Sequence, residues 1–496
     1  MKLGELLSGI RLRRPAPPDL ASADITGLEY DSRRVQAGYL FFAFPGSRAD
    51  GREFARAALA RGAVAVASES AAPAGLEERW IEVDHGRHAL ARAARLFYGK
   101  PDEQVALTGI TGTNGKTTTG FLIDAVLRAA GLTTALVGTI EYRLAGRVLP
   151  AVNTTPESLD LIRLLAELRA EGGTHATMEV SSHALELGRV YGLQFHTAVF
   201  TNLTRDHLDF HVTMEAYGAA KQKLFDGAGG EPPAFAVLNR DDSFARSMHI
   251  PAETRVFWYG LGQDPDLRAV HIASGSRGLR FEVQYAKQRF AVESPLLGKI
   301  NVYNILAACG AGLSYGLPPE EIARGIASLQ AVPGRFERVD AGQPFVVVVD
   351  YAHTPDALQN TIAVARGLNP KRVITLFGCG GDRDRTKRPL MGQAAAELSD
   401  LVVLTSDNPR SEDPLAIMND ALVGIRRVDK PLVVEPDRAA AIARALNEAR
   451  EGDLVILAGK GHETYQILHD KTIAFDDRAV AREVLRGYGY QSRMEP

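Results

Sequence analysis

Hydrophobic and polar positions alternate between two rhythms along this chain. Short apolar runs that end at once in glycine, proline or charge read as strands, and longer stretches with apolar positions three and four apart read as helices. Over the first hundred residues the pattern predicts strands at 39–44 and 63–67 around a helix at 53–61. That is a small α/β unit, closed by a linker near Tyr98-Gly99-Lys100-Pro101. From 105 onward, strands at 105–110, 135–138, 176–180 and 197–202 alternate with helical patterns beginning near Phe121 and covering 158–171. Such alternation predicts a mostly parallel sheet covered on both faces.

Past Leu238 the rhythm shortens to alternating strands, as at 279–285 and 289–293, before a helix at 303–315. We read these strands as an antiparallel extension of the same domain. After Val332-Pro333-Gly334-Arg335 come four strongly apolar strands, at 345–349, 373–377, 401–404 and 454–457. Each is followed by glycine, charge or proline and then a helix, which predicts a second doubly wound, Rossmann-like α/β unit. The fold class is therefore α/β in three domains, 1–101, 102–336 and 337–496. No internal repeat or low-complexity tract interrupts them.

Composition narrows the class of protein without choosing a chemistry. With 496 residues, 45% hydrophobic and 24% charged, the chain has the balance of a soluble globular protein of several domains. A formal net charge of −3 gives no general attraction to nucleic acid or an anionic membrane. Its two cysteines, Cys309 and Cys379, lack metal-ligand spacing and suggest a reducing compartment. No run approaches a membrane span and the start has the wrong polarity for a secretory signal. We expect a cytoplasmic protein, acting as a monomer.

The chemistry lies at strand ends. Gly112-Thr113-Asn114-Gly115-Lys116-Thr117-Thr118 falls between a strand and a helix, where backbone N–H groups and the helix dipole converge on one anionic spot. Lys116 can reach the terminal phosphates of a nucleotide, and the Thr117 hydroxyl can complete a magnesium shell. Ile110 stands where the usual first glycine would be, so the motif is a shortened P-loop. Glu179 and His207, at neighbouring strand ends, could reach a metal beside those phosphates. Lys221 sits in a helical pattern, and periodicity alone makes it a solvated surface charge.

In the last domain the strand ends carry Asp350 to His353, Gly378 to Arg383, Asp407 to Arg410 and Gly459 to Glu463. Arginine forks pair carboxylates while Asp and Glu hold ammonium groups, so this rim reads as a zwitterion receptor. Gly378-Cys379-Gly380 is not a dinucleotide fingerprint, because Arg383 occupies the place of the third glycine.

Taken together, Thr111 to Thr118, Asn202 to His211, Asn301-Val302-Tyr303-Asn304 and Asp350-Tyr351-Ala352-His353 resemble the Mur ligase family, the ATP-dependent amide-forming enzymes of peptidoglycan precursor synthesis. Asp407-Asn408-Pro409-Arg410 and Gly459-Lys460-Gly461-His462-Glu463 look like the member that adds the third amino acid, meso-2,6-diaminopimelate, to UDP-MurNAc-L-Ala-D-Glu. The resemblance runs from Asp31 to Arg478, nearly the whole chain.

It implies a first domain holding the uridine diphosphate, with Ser32, Ser47, Arg48 and Ala49 near it. Asn153, Thr154, Thr155, Ser181 and Arg189 would contact the muramoyl dipeptide. Many relatives carry glutamine where this chain has Leu187, which removes one hydrogen bond to that substrate. Gly112 to Thr118, Asn301 and Arg335 would contact ATP. Lys221 would be carbamylated and join Thr117, Glu179 and His207 around Mg2+. Arg383, Asp407, Asn408, Pro409, Arg410, Gly459 and Glu463 would hold diaminopimelate, and His353 is a candidate proton acceptor.

The implied chemistry is phosphorylation of the D-Glu side-chain carboxyl followed by attack of the amine, with domain closure bringing the reactants together. The competing readings are a ligase for lysine or ornithine, a folylpolyglutamate synthase relative, a P-loop regulator that makes no bond, and a dinucleotide oxidoreductase. Asp407 to Arg410 speak against the first and the uridine-type first domain against the second.

Overall fold

The computed structural model describes residues 1–46, 49–262 and 264–490. Its chain forms two compact units. The first comprises residues 1–268, 284–288 and 304–325, and the second 269–283, 289–303 and 326–496. The strands Leu267–Gly275, Gly278–Tyr285 and Gln288–Ser294 belong to the same sheet as Phe235–Asn239 and Arg255–Gly260, in line with the extension read from the sequence.

The first unit opens with a parallel four-stranded sheet in the order Gly27–Glu29, Tyr39–Ala43, Ala65–Ser68 and Trp80–Glu82. The expected helix after the second strand begins as a 3-10 turn, Gly51–Phe54, and becomes α-helical only at Ala55–Ala60. A larger sheet follows. Its strand Ala106–Thr111 lies between His175–Glu179 and Thr197–Phe200, all parallel, with Phe235–Asn239 and Arg255–Gly260 continuing outward. Thr134–Val137 flanks the other side and carries an antiparallel hairpin, Glu141–Leu144 with Arg147–Pro150, that periodicity did not reveal. The central strands are buried on both faces, as covered parallel strands must be.

Register decides which loops meet. Ile110 pairs with Glu179, and Thr111 pairs with Phe200. The chain therefore leaves the sheet at Gly112, Val180 and Thr201 along one edge, and the strand order reverses direction at the strand leading to Gly112. That is the switch point where ligands bind in open α/β sheets.

The second unit repeats the plan. Its sheet runs Glu337–Arg338, Val346–Asp350, Leu454–Ala458, Val373–Phe377, Leu401–Leu404 and Leu432–Val434, parallel except for the first short strand. Asp350 pairs with Ala458 and Phe377 with Leu404, so the segments starting at Tyr351, Gly459, Gly378 and Thr405 share one rim. Beneath that rim Arg438 and Asp477, both wholly buried, form an ion pair of 2.6 Å. Arg438 also donates to the carbonyls of Ser406 and Ala458 at 3.3 and 3.0 Å, tying two strand ends from below.

Candidate active site

The glycine turn is built by conformations that only glycine tolerates. Gly112 and Gly115 have φ of 145° and 88°. A methyl group on Gly112 would overlap the Thr201 hydroxyl, and one on Gly115 would lie 2.5 Å from Asn304 Oδ1. The helix Lys116–Ala129 starts directly on Gly115, earlier than the apolar pattern indicated, because Thr117, Thr118 and Thr119 hide its first turn. The positive end of its dipole lies at this turn.

Neighbouring loops hold the turn in shape. Asn202 accepts from the backbone of both Thr113 and Asn114, at 2.8 and 3.0 Å, and Thr201 Oγ1 donates to the Asn114 carbonyl at 2.7 Å. Asn304 accepts from Thr119 Oγ1 at 3.4 Å. Asn304 was not among the site residues read from the sequence; Asn301, which was, lies three residues earlier on the same helix, Ile300–Ser314. Asn301 belongs to the second unit, where its amide donates to the Leu297 carbonyl at 2.8 Å. Arg335 also lies there, its guanidinium 4.9 Å over the Tyr351 ring.

Four of the expected metal and phosphate residues, Lys116, Thr117, Glu179 and Lys221, gather around the turn. Glu179 accepts from Thr117 Oγ1 at 3.0 Å and from the Thr139 backbone and hydroxyl at 2.8 and 3.1 Å. Lys116 donates to the carbonyls of Gly112 and Thr113, both at 2.9 Å. For Lys221 the reading from periodicity alone is corrected. It is no surface charge but 1% exposed, donating to the Gly112 carbonyl at 2.9 Å with its nitrogen 4.3 Å over the Tyr217 ring. Burial, and then the nearby Lys116 ammonium, push its pKa well below the usual lysine range, against a smaller opposing pull from Asp206. His207, with φ of 52°, is also held below the usual histidine value, first by burial and then by His183, Lys116 and Lys221, with Asp206 opposing. Among the described residues no group of three or more His, Cys, Asp or Glu side chains could hold a metal ion.

The expected muramoyl-dipeptide residues form one patch beside this turn. Thr155 Oγ1 donates to the Glu179 carbonyl at 2.9 Å and accepts from the Ser181 backbone at 3.1 Å. Thr154 Oγ1 lies 3.1 Å from Thr139 Oγ1. Arg189 donates to the Thr155 carbonyl at 3.0 Å and to Glu157 at 3.1 Å, a carboxylate the sequence reading did not flag. The Asn153 backbone exchanges hydrogen bonds with the Tyr142 hydroxyl, and its side chain is exposed. Leu187 caps the short helix Ser182–Glu186 and offers no polar group. Ser32 opens a 3-10 turn capped by Asp31, and Ala49 is exposed with its carbonyl accepting from Gly46 at 2.9 Å. Ser47 and Arg48 lie outside the described residues.

On the rim of the second unit, Gly459 has φ of 113°, and a methyl group there would sit 2.5 Å from Asp407 Oδ2. Asn408 donates to Glu463 at 2.9 Å and accepts from the Ile467 backbone at the same distance. Lys460, absent from the sequence-derived site, is fully buried and donates to Asn408 Oδ1 and Glu463 Oε2 at 3.2 and 3.1 Å. Arg410 donates to the Gly381 carbonyl at 2.7 Å, next to Gly380, while Pro409 packs on Gly381. Arg383 is exposed and donates to the Asp382 carbonyl at 3.0 Å. His353 is exposed, with Nδ1 2.8 Å from the Tyr351 carbonyl. A carbonyl can only accept, so the neutral ring carries its proton on Nδ1 and leaves Nε2 basic.

Comparison with known proteins agrees along the whole chain. Residues 24–98 match the family described as Mur ligase family, catalytic domain; 110–312 match the Mur ligase middle domain; and 334–461 match the Mur ligase, glutamate ligase domain. A protein of Solibacter usitatus (strain Ellin6076) named UDP-N-acetylmuramoyl-L-alanyl-D-glutamate--2,6-diaminopimelate ligase is 74% identical over 490 residues, covering 99% of each chain. One of the same name from Geobacillus thermodenitrificans (strain NG80-2) is 47% identical over 98% of this chain and 99% of its own. A solved structure with that name is 34% identical, with a TM-score of 0.71 over 99% of this chain and 100% of the other.

Proposed function

Because the chain belongs to the Mur ligase family, with its three-domain α/β architecture, we propose that the glycine turn at 112–115 and the rim at 378–463 are the two working parts of its reaction. The protein is an ATP-dependent amide-forming ligase. It adds meso-2,6-diaminopimelate to the D-Glu side-chain carboxyl of UDP-MurNAc-L-Ala-D-Glu, releasing ADP and phosphate, in peptidoglycan precursor synthesis. We take the working domains as 1–101 for the uridylated substrate, 102–336 for ATP and 337–496 for the amino acid.

A carboxylate is a poor acylating agent, so the γ-phosphate of ATP passes to the D-Glu carboxyl. An acyl phosphate and ADP result. Two anions must approach, and the Lys116 ammonium with the N–H groups of the turn offsets their repulsion as charge spreads in the transition state. The diaminopimelate amine then attacks the acyl carbon, phosphate leaves with the C–O bonding pair, and the amine proton departs to a base. His353 Nε2 is our candidate acceptor.

The residues around the turn fit a magnesium ion. Thr117 Oγ1 and the Glu179 carboxylate are hard oxygen donors in contact with each other. A carbamylated Lys221 would add two more oxygens, and His207 a nitrogen. Magnesium, when bound, neutralises charge on the transferring phosphate. Carbamylation requires a neutral amine, and the burial that lowers the Lys221 pKa favours that form. The amine nitrogen bonds the carbon of CO2 and gives up a proton.

On the rim, Asp407 and Glu463 suit the ammonium groups of diaminopimelate, and Arg410 and Arg383 its carboxylates. Only diaminopimelate has a second carboxylate at its far end, so the two arginines favour it over lysine. Among the described residues no helix is long and apolar enough to cross a membrane. We place the enzyme in the cytoplasm, where ATP and UDP-linked precursors are made, and treat it as a monomer with no nucleic-acid partner.

The observation that carries this reading is the buried Lys221 amine beside Lys116 on the carbonyl of the phosphate turn. Hydroxylamine supplied in place of amino acid tests the first step: it should trap the UDP-linked dipeptide as a hydroxamate, dependent on ATP. Absence of hydroxamate with ATP still consumed would argue against the acyl phosphate.

A further inference from the structure

Arg388 takes no part in the chemistry described above, yet it is one of the largest fully buried side chains in the protein, 1% exposed. It is the second residue of the helix Lys387–Leu398, and its guanidinium reaches back under the rim. One nitrogen donates to Glu412 Oε1 at 2.7 Å and to the Gly380 carbonyl at 3.3 Å. The other donates to Asp420 Oδ2 at 2.9 Å. The same Glu412 oxygen accepts from the Asp382 backbone at 2.6 Å, and Asp382 in turn accepts from the Ser411 hydroxyl.

These contacts close a circuit between two loops. One loop, 378–386, carries Arg383; the other, 405–413, carries Asp407, Asn408 and Arg410. Both contain a non-glycine residue in the left-handed region, Asp382 at φ 52° and Arg410 at φ 53°. Such conformations are strained and persist only where surrounding contacts over-determine them. Glu412 and Ser411 hold Asp382, the Gly381 and Ile467 carbonyls hold Arg410, and Arg388 anchors Glu412 and Gly380 beneath them. Its hydrogen bond holds the Glu412 carboxyl down to about 2, so the anionic partner stays charged throughout the working range.

We propose that Arg388 is a positioning residue for the amino-acid site: by binding Gly380, Glu412 and Asp420 together it sets the spacing between the Arg383 loop and the Arg410 loop, and so the grip on the far carboxylate of the substrate. It never touches the substrate. The inference rests on the function proposed above, because it takes the rim to be the amino-acid site.

Steady-state KM values for all three substrates test it, in the wild type, Arg388→Met, Arg388→Lys and Glu412→Gln. A misplacement near one ångström costs on the order of 100-fold, so Arg388→Met should raise the KM for diaminopimelate by roughly 10- to 100-fold. The KM values for ATP and the UDP-linked dipeptide should stay within about twofold, since the loss is confined to one binding step. Arg388→Lys, which keeps the charge but not the fork, should recover part of the loss, and Glu412→Gln, which keeps the acceptor for Asp382, should lie between. If Arg388→Met does not fold, the two milder variants carry the same expectation.

An unchanged diaminopimelate KM in a folded variant, or an equal rise for all three substrates, would overturn the proposal. The wild type is measured first on several amino acids. Should it prefer another amino acid, the functional reading fails, and the role of Arg388 is then read on the KM for that preferred substrate.

Discussion

Lys116 and Lys221 share one acceptor: both ammonium nitrogens lie 2.9 Å from the carbonyl oxygen of Gly112. Two cations on one carbonyl repel, which adds to burial in lowering the Lys221 pKa. This pair links the phosphate turn to a lysine that the chain can convert into an anion.

Lys221 should therefore destabilise the free protein near neutral pH. Its folded pKa is below the unfolded value, so the unfolded chain binds the extra proton there, and stability rises as pH climbs toward the ordinary lysine range. Lys221→Met should raise Tm at neutral pH, with a gap that shrinks on the alkaline side, while abolishing ligation. Thermal melts across pH, together with an intact-mass search for one added CO2, check both halves. A variant gap that widens with pH would contradict the sign.

Gly112→Ala should lose ATP use. The added methyl meets the Thr201 hydroxyl in a backbone conformation that costs an L-residue about 1–3 kcal/mol. Either the turn moves or Thr201 does, and the KM for ATP should rise by an order of magnitude or more. Nucleotide binding measured by calorimetry, without the other substrates, isolates this effect.

Arg410→Ala should impair diaminopimelate selectively, by roughly 2–5 kcal/mol if the carboxylate pair is desolvated. The contact to Gly381 means part of that loss comes from loop placement. Comparing kcat/KM for diaminopimelate and lysine separates the two contributions. Equal loss for both amino acids would assign Arg410 a purely structural role.

Arg438→Met should destabilise by about 3–5 kcal/mol, because Asp477 would remain buried without its partner. The double variant with Asp477→Leu should recover most of it. Urea denaturation of the single and double variants gives the coupling directly.

Two strands of the second unit, Val373–Phe377 and Leu401–Leu404, were legible to the residue, because a strand buried on both faces is a continuous apolar run stopped by glycine or polar groups. The start of the helix at Lys116 was not, since three threonines mask its period. The hairpin 141–150 escaped notice because an edge pair with solvent on one side has no long apolar run. Strand ends found the site, since glycine and charge after an apolar run are local signals. The burial of Lys221, Arg388 and Lys460 is set by residues far away in sequence, and no periodicity in their own helices or loops announces it.

The most direct test of the account is the product itself. Purified protein with ATP, Mg2+ and UDP-MurNAc-L-Ala-D-Glu should be offered diaminopimelate, lysine, ornithine and glutamate separately, and the UDP-linked products weighed by mass spectrometry. The account predicts a tripeptide product with diaminopimelate and little or none with the others. Product from lysine at a comparable rate, or phosphate release with no tripeptide at all, would contradict it.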